Sequence, residues 1–579
     1  VNLIEALEAL KQPAPAGNPS IRVALACGFT PLHLQTFLAA HLRQRMPDRA
    51  VEIVPGLFGD LAGNIERFAA AKCDALAVVM EWADLDARLG TRTLGGWRAE
   101  NLPDIVKSVD LSLSRIAQAL RKSSGSFPVC ICLPTLPLPP LFAPATRQAA
   151  AEELQLRSSV ASFAANIANE TFVRIVNSQQ LDELSGTSKR FNLQSELTAG
   201  FPYQLPHAST VADLLAALIH NPSPKKGLIT DLDDTVWAGI LGEVGVEGIS
   251  WDLDRHSHMH GVYQQFLGSL ASTGVLIGVA SKNDPARVAQ ALDRKDLILP
   301  KDKVFPIEAH WSAKSESAGR ILKTWNIGPE AVVFIDDSAM EVAEVNAAFP
   351  EMQCIVFPRN DPGAIWNLLK QLRDLFGKTT VSPEDLLRME SIRAAGALRE
   401  AVAGDAGSAD DFLQNAGAEI EFSFAKQPRD TRAFDLINKT NQFNLNGKRL
   451  TEAAWQDYLN DPAAFLMTVS YEDKYGPLGK IAVLLGKIEE QRVSVDFWVM
   501  SCRAFSRRIE YQCLKQLCER FDAPEVVFDY QATPRNGPLQ EFFAGIAGSP
   551  LPSQLHVSRS DVQDKSPALF HRVKELVNA

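Results

Sequence analysis

Three short apolar runs in the middle of the chain stop on side chains that handle charge. Leu228-Ile229-Thr230 runs into Asp231-Leu232-Asp233-Asp234-Thr235, Val279-Ala280 into Ser281-Lys282-Asn283, and Phe334-Ile335 into Asp336-Asp337. A fourth group, Lys314, comes just before a helix starting near Ser315. In an open sheet of parallel strands the carboxyl ends lie along one edge, and the residues following them share one crevice. Amphipathic helices separate the runs, so the pattern predicts a parallel α/β sheet with helices on both faces. Alone, the acidic stretch 231–234 reads equally well as a solvated acidic turn. Its companions decide between the two readings. Carboxylates on several strand ends supply the oxygen ligands that a hard divalent cation requires. The Ser281 hydroxyl and the backbone N–H groups near it can hold a phosphoryl oxygen. Lys314 can neutralise charge on that group and on a nucleophile.

The same alternation extends upstream. Apolar runs at Ile21–Ala26, Val51–Val54, Ala75–Met80 and Phe127–Leu133, with a possible fifth at Phe172–Val176, predict another parallel sheet. Asn-Pro-Ser-Pro at 221–224 marks its end. In the central unit the strands are expected from Gly227, at Leu276–Ala280, Val332–Ile335 and Cys354–Phe357. Downstream, Phe465–Tyr471, Lys480–Leu485, Val493–Met500 and Val526–Asp529 read as strands, with a helix after Ser506. With 579 residues the chain exceeds one core. The expected division is an N-terminal segment 1–20, α/β domains at 21–222 and 225–377, a helical linker at 378–411 and a third domain at 412–579. The small, acidic tract Ala403 to Asp411 forms the joint.

Composition excludes several classes. A net charge of −11 lacks the basic stripe of a nucleic-acid-coating surface. It would also repel an acidic protein partner, unless a local patch such as Arg503, Arg507 and Arg508 receives it. The eight cysteines form no CxxC pair, which fits reduced thiols and a cytoplasmic location. No signal peptide is expected. The uncharged run Ser123 to Thr146 contains six prolines (128, 134, 137, 139, 140 and 144), so it is read as a strand and a loop rather than a membrane span. His256, His258 and His260 alternate with Ser257 and Met259. On a helix only His256 and His260 share a face and no third ligand is evident, so solvated or supporting histidines are expected in place of a zinc site.

The central motifs resemble the haloacid dehalogenase superfamily, and in particular its FkbH-like family. The resemblance rests on Asp231 through Glu243, Ala280-Ser281-Lys282-Asn283, His310 through Glu316 and Phe334-Ile335-Asp336-Asp337. It extends to Asn438-Lys439-Thr440-Asn441-Gln442-Phe443-Asn444 and Ser501-Cys502-Arg503, covering about residues 21 to 575. The resemblance implies that Asp231 is a nucleophile forming an aspartyl-phosphate and Asp233 the general acid/base. Ser281, Lys282, Asn283 and Lys314 would hold phosphate. Asp231, the Asp233 carbonyl and Asp336 would bind Mg²⁺, with Asp337 a further or outer ligand. The segments 235–281 and 281–314 are too short for a large cap domain, which suits a bulky or protein-tethered substrate.

The flanks resemble other folds. The first domain is similar to the three-layer SGNH hydrolases, but Cys27-Gly28-Phe29-Thr30 stands where their serine follows the first strand, and no Asp-x-x-His closes the domain. A docking or scaffolding role is expected, with Cys27 as the alternative nucleophile. The third domain resembles GNAT-type acyltransferases. Arg503-Ala504-Phe505-Ser506-Arg507-Arg508 occupies the place of their pantetheine-binding loop, with Ser506 and Arg508 where glycine is usual. Cys502, followed by three arginines and a helix, is a candidate acyl-holding nucleophile; the alternative is an inert buried thiol. The family likeness implies a glyceryl transferase/phosphatase. It would take a phosphorylated three-carbon substrate, 1,3-bisphosphoglycerate, and deliver a D-glyceryl unit to the phosphopantetheine thiol of an acyl carrier protein. A phosphatase or acyltransferase serving another acceptor, such as a surface sugar, and a non-catalytic scaffold are the alternatives.

Overall fold

A computed structural model of the chain describes residues 1–12, 20–122, 127–145, 147–378, 381–390, 392–393, 408–426, 430–474, 476–489, 492–501, 504–505, 507–552 and 554–576. Two compact units are present: residues 1–222 with 450–458, and residues 223–449 with 459–579. No helix among the described residues is long and apolar enough to cross a membrane.

The first unit is built on strands β1 (Ile21–Ala26), β2 (Val51–Pro55), β3 (Ala75–Val79), β4 (Val129–Cys132) and β5 (Val173–Ile175), all parallel in the order β2-β1-β3-β4-β5. Successive side chains of a strand face opposite ways, and both faces of this sheet are covered. Val23 and Leu25 of β1 pack with Phe37 and Leu215, from helices Leu32–Arg45 and Leu205–Ile219. Ala24 and Ala26 pack with Ile65, Val109 and Phe163 on the other side. This double burial is why β1 and β3 are apolar almost throughout rather than alternating.

A buried carboxylate fastens the loops at the carboxyl edge. Glu81, beyond β3, accepts hydrogen bonds from Thr135 Oγ1 at 2.6 Å, Tyr203 OH at 2.6 Å and Leu136 N at 3.1 Å. Burial pushes its pKa up, and these hydrogen bonds oppose the shift. Because the Thr135 hydroxyl donates to Glu81, it accepts from His207 Nε2 at 2.9 Å, and His207 Nδ1 accepts from Ser185 Oγ at 2.9 Å. The histidine is neutral, its pKa lowered by burial and by Arg190 to about 3.

The second unit contains two sheets. Strands β6 (Gly227–Thr230), β7 (Leu276–Ser281), β8 (Val304–Ala309), β9 (Val332–Asp336) and β10 (Gln353–Val356) form a parallel sheet in the order β10-β9-β6-β7-β8. Leu228, Ile277, Val333 and Ile335 face one core, and Ile229, Leu276 and Phe334 face the other. The four strands expected here are present. Strand β8, with Pro306 in its middle, was not expected from the sequence. Proline cannot donate to a ladder, which argues against a central strand, but β8 lies at the sheet's edge.

The remaining sheet is mixed: β11 (Glu419–Ser423), β12 (Ala464–Asp473), β13 (Gly476–Glu489), β14 (Arg492–Met500), β15 (Glu525–Asp529), β16 (Gln554–Ser558) and β17 (Arg572–Leu576), ordered β16-β15-β14-β13-β12-β11-β17. Its β14–β15 and β11–β17 pairs are parallel and the rest antiparallel. The sequence reading missed β11, β16 and β17, short strands rich in charged or polar residues at or near the sheet's edges.

The β14–β15 pairing covers only Val493↔Val526 to Val495↔Phe528, and beyond it the two strands part. The segment Phe443–Asn446 enters that opening. Leu445 N donates to Trp498 O at 2.9 Å, Met500 N to Phe443 O at 3.0 Å and Gln531 N to Leu445 O at 3.1 Å. The buried Asn446 amide donates to Asp496 O at 2.9 Å and Asp529 O at 3.0 Å, bridging the two strands. Asn446→Ala leaves those carbonyls without this donor and is expected to cost about 2–3 kcal/mol. A lowered midpoint in urea unfolding followed by tryptophan fluorescence checks it.

Candidate active site

The carboxyl edge of the β6–β10 sheet collects the residues singled out in the sequence. Asp231 leaves β6, its amide donating to Ile335 O of the neighbouring strand at 2.9 Å. Ser281 ends β7, Asp336 ends β9, and Lys314 begins helix Lys314–Trp325. Asp231, Ser281, Asn283, Lys314 and Asp336 are all buried. The Lys314 ammonium stands 2.8 Å from Asp231 Oδ1 and also contacts Asp336 Oδ2, so one cation joins the ends of two adjacent strands. Asp336 Oδ1 accepts from Ser338 N at 2.9 Å.

Burial drives the electrostatics of this cluster. It pushes Asp231 up to about 7; Lys314 pulls against that shift and Asp336 adds to it. Burial alone would lower Lys314, but the attraction of Asp231 and Asp336 outweighs it and raises the ammonium above its ordinary value. Asp337 is raised, first by burial and then by the charge of Asp336, with Arg359 opposing. Oxygens of Asp231, Asp336 and Asp337 lie within 4.8 Å of one another, the only such grouping of potential metal-binding residues among those described. This all-oxygen donor set fits a small, hard divalent cation.

Asp233 is held by a different set of partners. Its Oδ1 accepts from Trp237 Nε1 at 2.9 Å and Leu241 N at 3.2 Å, and its Oδ2 from Asn283 Nδ2 at 2.9 Å. Asn283 Nδ2 also reaches Ser281 Oγ at 3.1 Å, linking the loop after β6 to the end of β7. The Asp233 carboxylate is thus aimed by three donors and stands outside the three-carboxylate grouping. Lys282 points elsewhere: its ammonium pairs with Glu341 at 2.7 Å. Two residues here were not singled out from the sequence. Arg359, beyond β10, contacts Asp234 Oδ2 at 2.6 Å and Asp337 Oδ2 at 2.7 Å through one nitrogen. Trp237, inside the Asp231–Glu243 stretch, is the other, through its indole donor to Asp233. Nothing in the local pattern marks Arg359, because its neighbours arrive from other strands.

The other candidates separate. Cys502, Arg503 and Ser506 lie outside the described residues. Arg507 does not form part of an exposed basic patch: it is buried, paired with Asp473 at 3.4 Å and over the ring of Tyr471. Burial among apolar strands required a counter-ion, and Asp473 supplies it. The Cys27 thiol is buried, donates to Phe29 O at 3.3 Å, and is pushed up to about 12 by burial and by Asp84, which opposes thiolate formation. His256 precedes the helix His258–Ser272, in left-handed backbone at φ 55°. His260 is buried and its Nδ1 donates to Thr235 O at 2.9 Å, bracing the loop after Asp233.

Removing the central cation leaves two buried carboxylates facing each other. Lys314→Met is therefore expected to lower stability by about 3–5 kcal/mol, measured by urea denaturation in the presence of a chelator.

No protein-family model matches the chain, and no curated protein does so either. Among solved structures it is similar to the N-terminal part of protein BF1531 from Bacteroides fragilis, which contains a phosphatase domain and was crystallised in complex with Mg. The two share 19% identity over 66% of this chain and 100% of that one, with a TM-score of 0.51. The likeness is one of fold, and the acidic grouping of Asp231, Asp336 and Asp337 lies in the parallel sheet described above.

Proposed function

We propose that the chain is a Mg²⁺-dependent phosphatase of the haloacid dehalogenase type, with Asp231 as nucleophile. The observation that carries this reading is the Lys314 ammonium held between Asp231 and Asp336 at the end of two parallel strands. Asp231 attacks phosphorus while the leaving oxygen takes a proton from Asp233, giving an aspartyl-phosphate. Water then attacks that phosphorus, gives its proton to Asp233, and releases phosphate with Asp231 restored. Ser281 and Asn283 hold phosphoryl oxygens, and Lys314 neutralises the nucleophile and the charge on the equatorial oxygens. Asp231, Asp336, Asp337 and the Asp233 carbonyl would hold Mg²⁺, which supplies further charge neutralisation. The fold shared with a Mg-bound phosphatase domain supports the same assignment.

The full reaction we infer is glyceryl transfer: dephosphorylation of a unit taken from 1,3-bisphosphoglycerate, and loading of a D-glyceryl group on an acyl carrier protein. The acyl phosphate is already activated, so thioester formation needs no ATP. What supports this is the resemblance of the motifs flanking the site, with Cys502 the proposed acyl-holding thiol. The three domains expected from the sequence would then divide the work: docking in the first, phosphatase chemistry in the second, acyl transfer in the third.

Asp231→Asn is expected to reduce Mg²⁺-dependent phosphate release from an aryl phosphate by at least about a thousandfold. Wild-type turnover in that variant removes Asp231 as nucleophile. Intact-mass analysis of a carrier protein incubated with the chain, Mg²⁺ and 1,3-bisphosphoglycerate should show a glyceryl adduct. Cys502→Ser should abolish the adduct and leave aryl-phosphate turnover near normal. Full loading by Cys502→Ser points to direct transfer without a covalent thiol.

A further inference from the structure

Five carboxylates crowd the carboxyl edge of the β6–β10 sheet: Asp231, Asp233, Asp234, Asp336 and Asp337. Three of them form the cation grouping. Asp337 belongs to that grouping and also faces Asp234, from the loop after β6. Between those two stands a positive nitrogen. Arg359 Nη1 lies 2.6 Å from Asp234 Oδ2 and 2.7 Å from Asp337 Oδ2, bridging carboxylates that arrive from different strand ends.

The geometry around Arg359 is set by its neighbours. Asp234 has left-handed backbone at φ 51°, and its Oδ1 accepts from Gly239 N at 2.8 Å. With one oxygen held in this way, the other is aimed at the guanidinium. Arg359 follows β10 by three residues, and its amide donates to Phe357 O at 3.0 Å, a tight turn that brings the side chain back over β9. The side chain is 45% exposed. No described residue partners its Nε or Nη2. The guanidinium acts through a single nitrogen, as a bridging charge.

We propose that Arg359 takes the place of a second divalent cation, limiting this acidic crevice to one metal ion. The inference rests on the reading that Asp231, Asp336 and Asp337 take a divalent cation. Two-metal sites hold their ions about 3.5–4 Å apart with shared carboxylates between them. Asp337 is placed to be such a shared ligand, with Asp234 completing the second position. A fixed guanidinium there supplies the positive charge that keeps Asp234 and Asp337 together, and excludes a mobile ion by occupancy and by repulsion. With two resident cations against five carboxylates, the crevice retains enough negative charge to attract one divalent ion and then has little left for another.

The test is a count of bound ions. Mn²⁺ is used as the probe, by equilibrium dialysis and by its electron paramagnetic resonance signal, at fixed ionic strength. Wild type is expected to bind one Mn²⁺ per chain. Arg359→Ala is expected to bind two, with the pair detectable as a spin-coupled signal. Arg359→Lys, which keeps a cation in place, should return the count to one. Arg359→Ala combined with Asp234→Asn should also bind one, because the second position has lost a ligand. Circular dichroism melting of each variant verifies that it is folded; the half-exposed arginine side chain makes this the expected result, and Arg359→Gln is the substitute if the alanine variant is not. One ion in both folded Arg359→Ala and Arg359→Gln, or two in wild type, overturns the inference and leaves the phosphatase reading standing. Wild type that binds no Mn²⁺ overturns both.

Discussion

Lys314 holds the site together. Two carboxylates at the ends of adjacent parallel strands repel each other, and burial raises the cost of keeping either ionised. One ammonium shared by Asp231 and Asp336 offsets both effects, and the two carboxylates in turn keep Lys314 protonated despite its burial. The remaining parts arrange themselves around this triad. Asp233 and Asn283 are hydrogen-bonded to each other at the ends of β6 and β7, Asp337 extends the triad toward the surface, and Arg359 balances that extension.

The parts of the fold legible in the sequence were those whose side chains are buried on both faces. Strands β1, β3, β6, β7 and β9 read as nearly continuous apolar runs because helices cover each side of their sheets, and their positions agree with expectation within a residue or two. Strand β8 was hidden by Pro306, which only an edge position tolerates. Strand Glu419–Ser423 alternates polar and apolar residues over only five positions, and Arg572–Leu576 has just Val573 and Leu576 apolar, too short or too irregular a stretch to distinguish from a helix turn or a loop. The site divides in the same way. Asp231, Ser281, Lys314 and Asp336 each stand at the end or start of a recognisable element. Arg359 depends on contacts with loops more than a hundred and about twenty residues away in the chain, so no local pattern marks it.

Burial also corrected the reading of isolated residues. Three arginines close together in sequence suggested an exposed basic patch, but Arg507 turns inward to Asp473. Cys27, just after β1, stood only as the alternative to a docking role, and its surroundings favour the protonated thiol. The polar motif Asn441 through Asn446 has a structural explanation that spacing does not provide. Phe443 and Leu445 supply backbone partners where β14 and β15 part, and Asn446 spans the gap with its amide.

The position of Lys314 is decided at the other end of its helix. Trp325 closes that helix and lies flat against β6 and β7, with its indole nitrogen donating to Phe305 O of β8 at 2.8 Å. The close approach requires residues without side chains below it. A Cβ at Gly227 would stand 2.5 Å from the ring and one at Gly278 2.8 Å, both closer than packed atoms allow. Gly227 and Gly278 lie on neighbouring strands, on the face shared by Ile229, Leu276 and Ala280. Two glycines in strands, which weaken β structure on their own account, therefore let a tryptophan fix how far the helix stands from the sheet. The helix rises about 1.5 Å per residue from Lys314 to Trp325, so a ring lifted from the sheet shifts the element that carries the ammonium to Asp231 and Asp336. The chemistry at the strand ends thus depends on the absence of two methyl groups in the core beneath it.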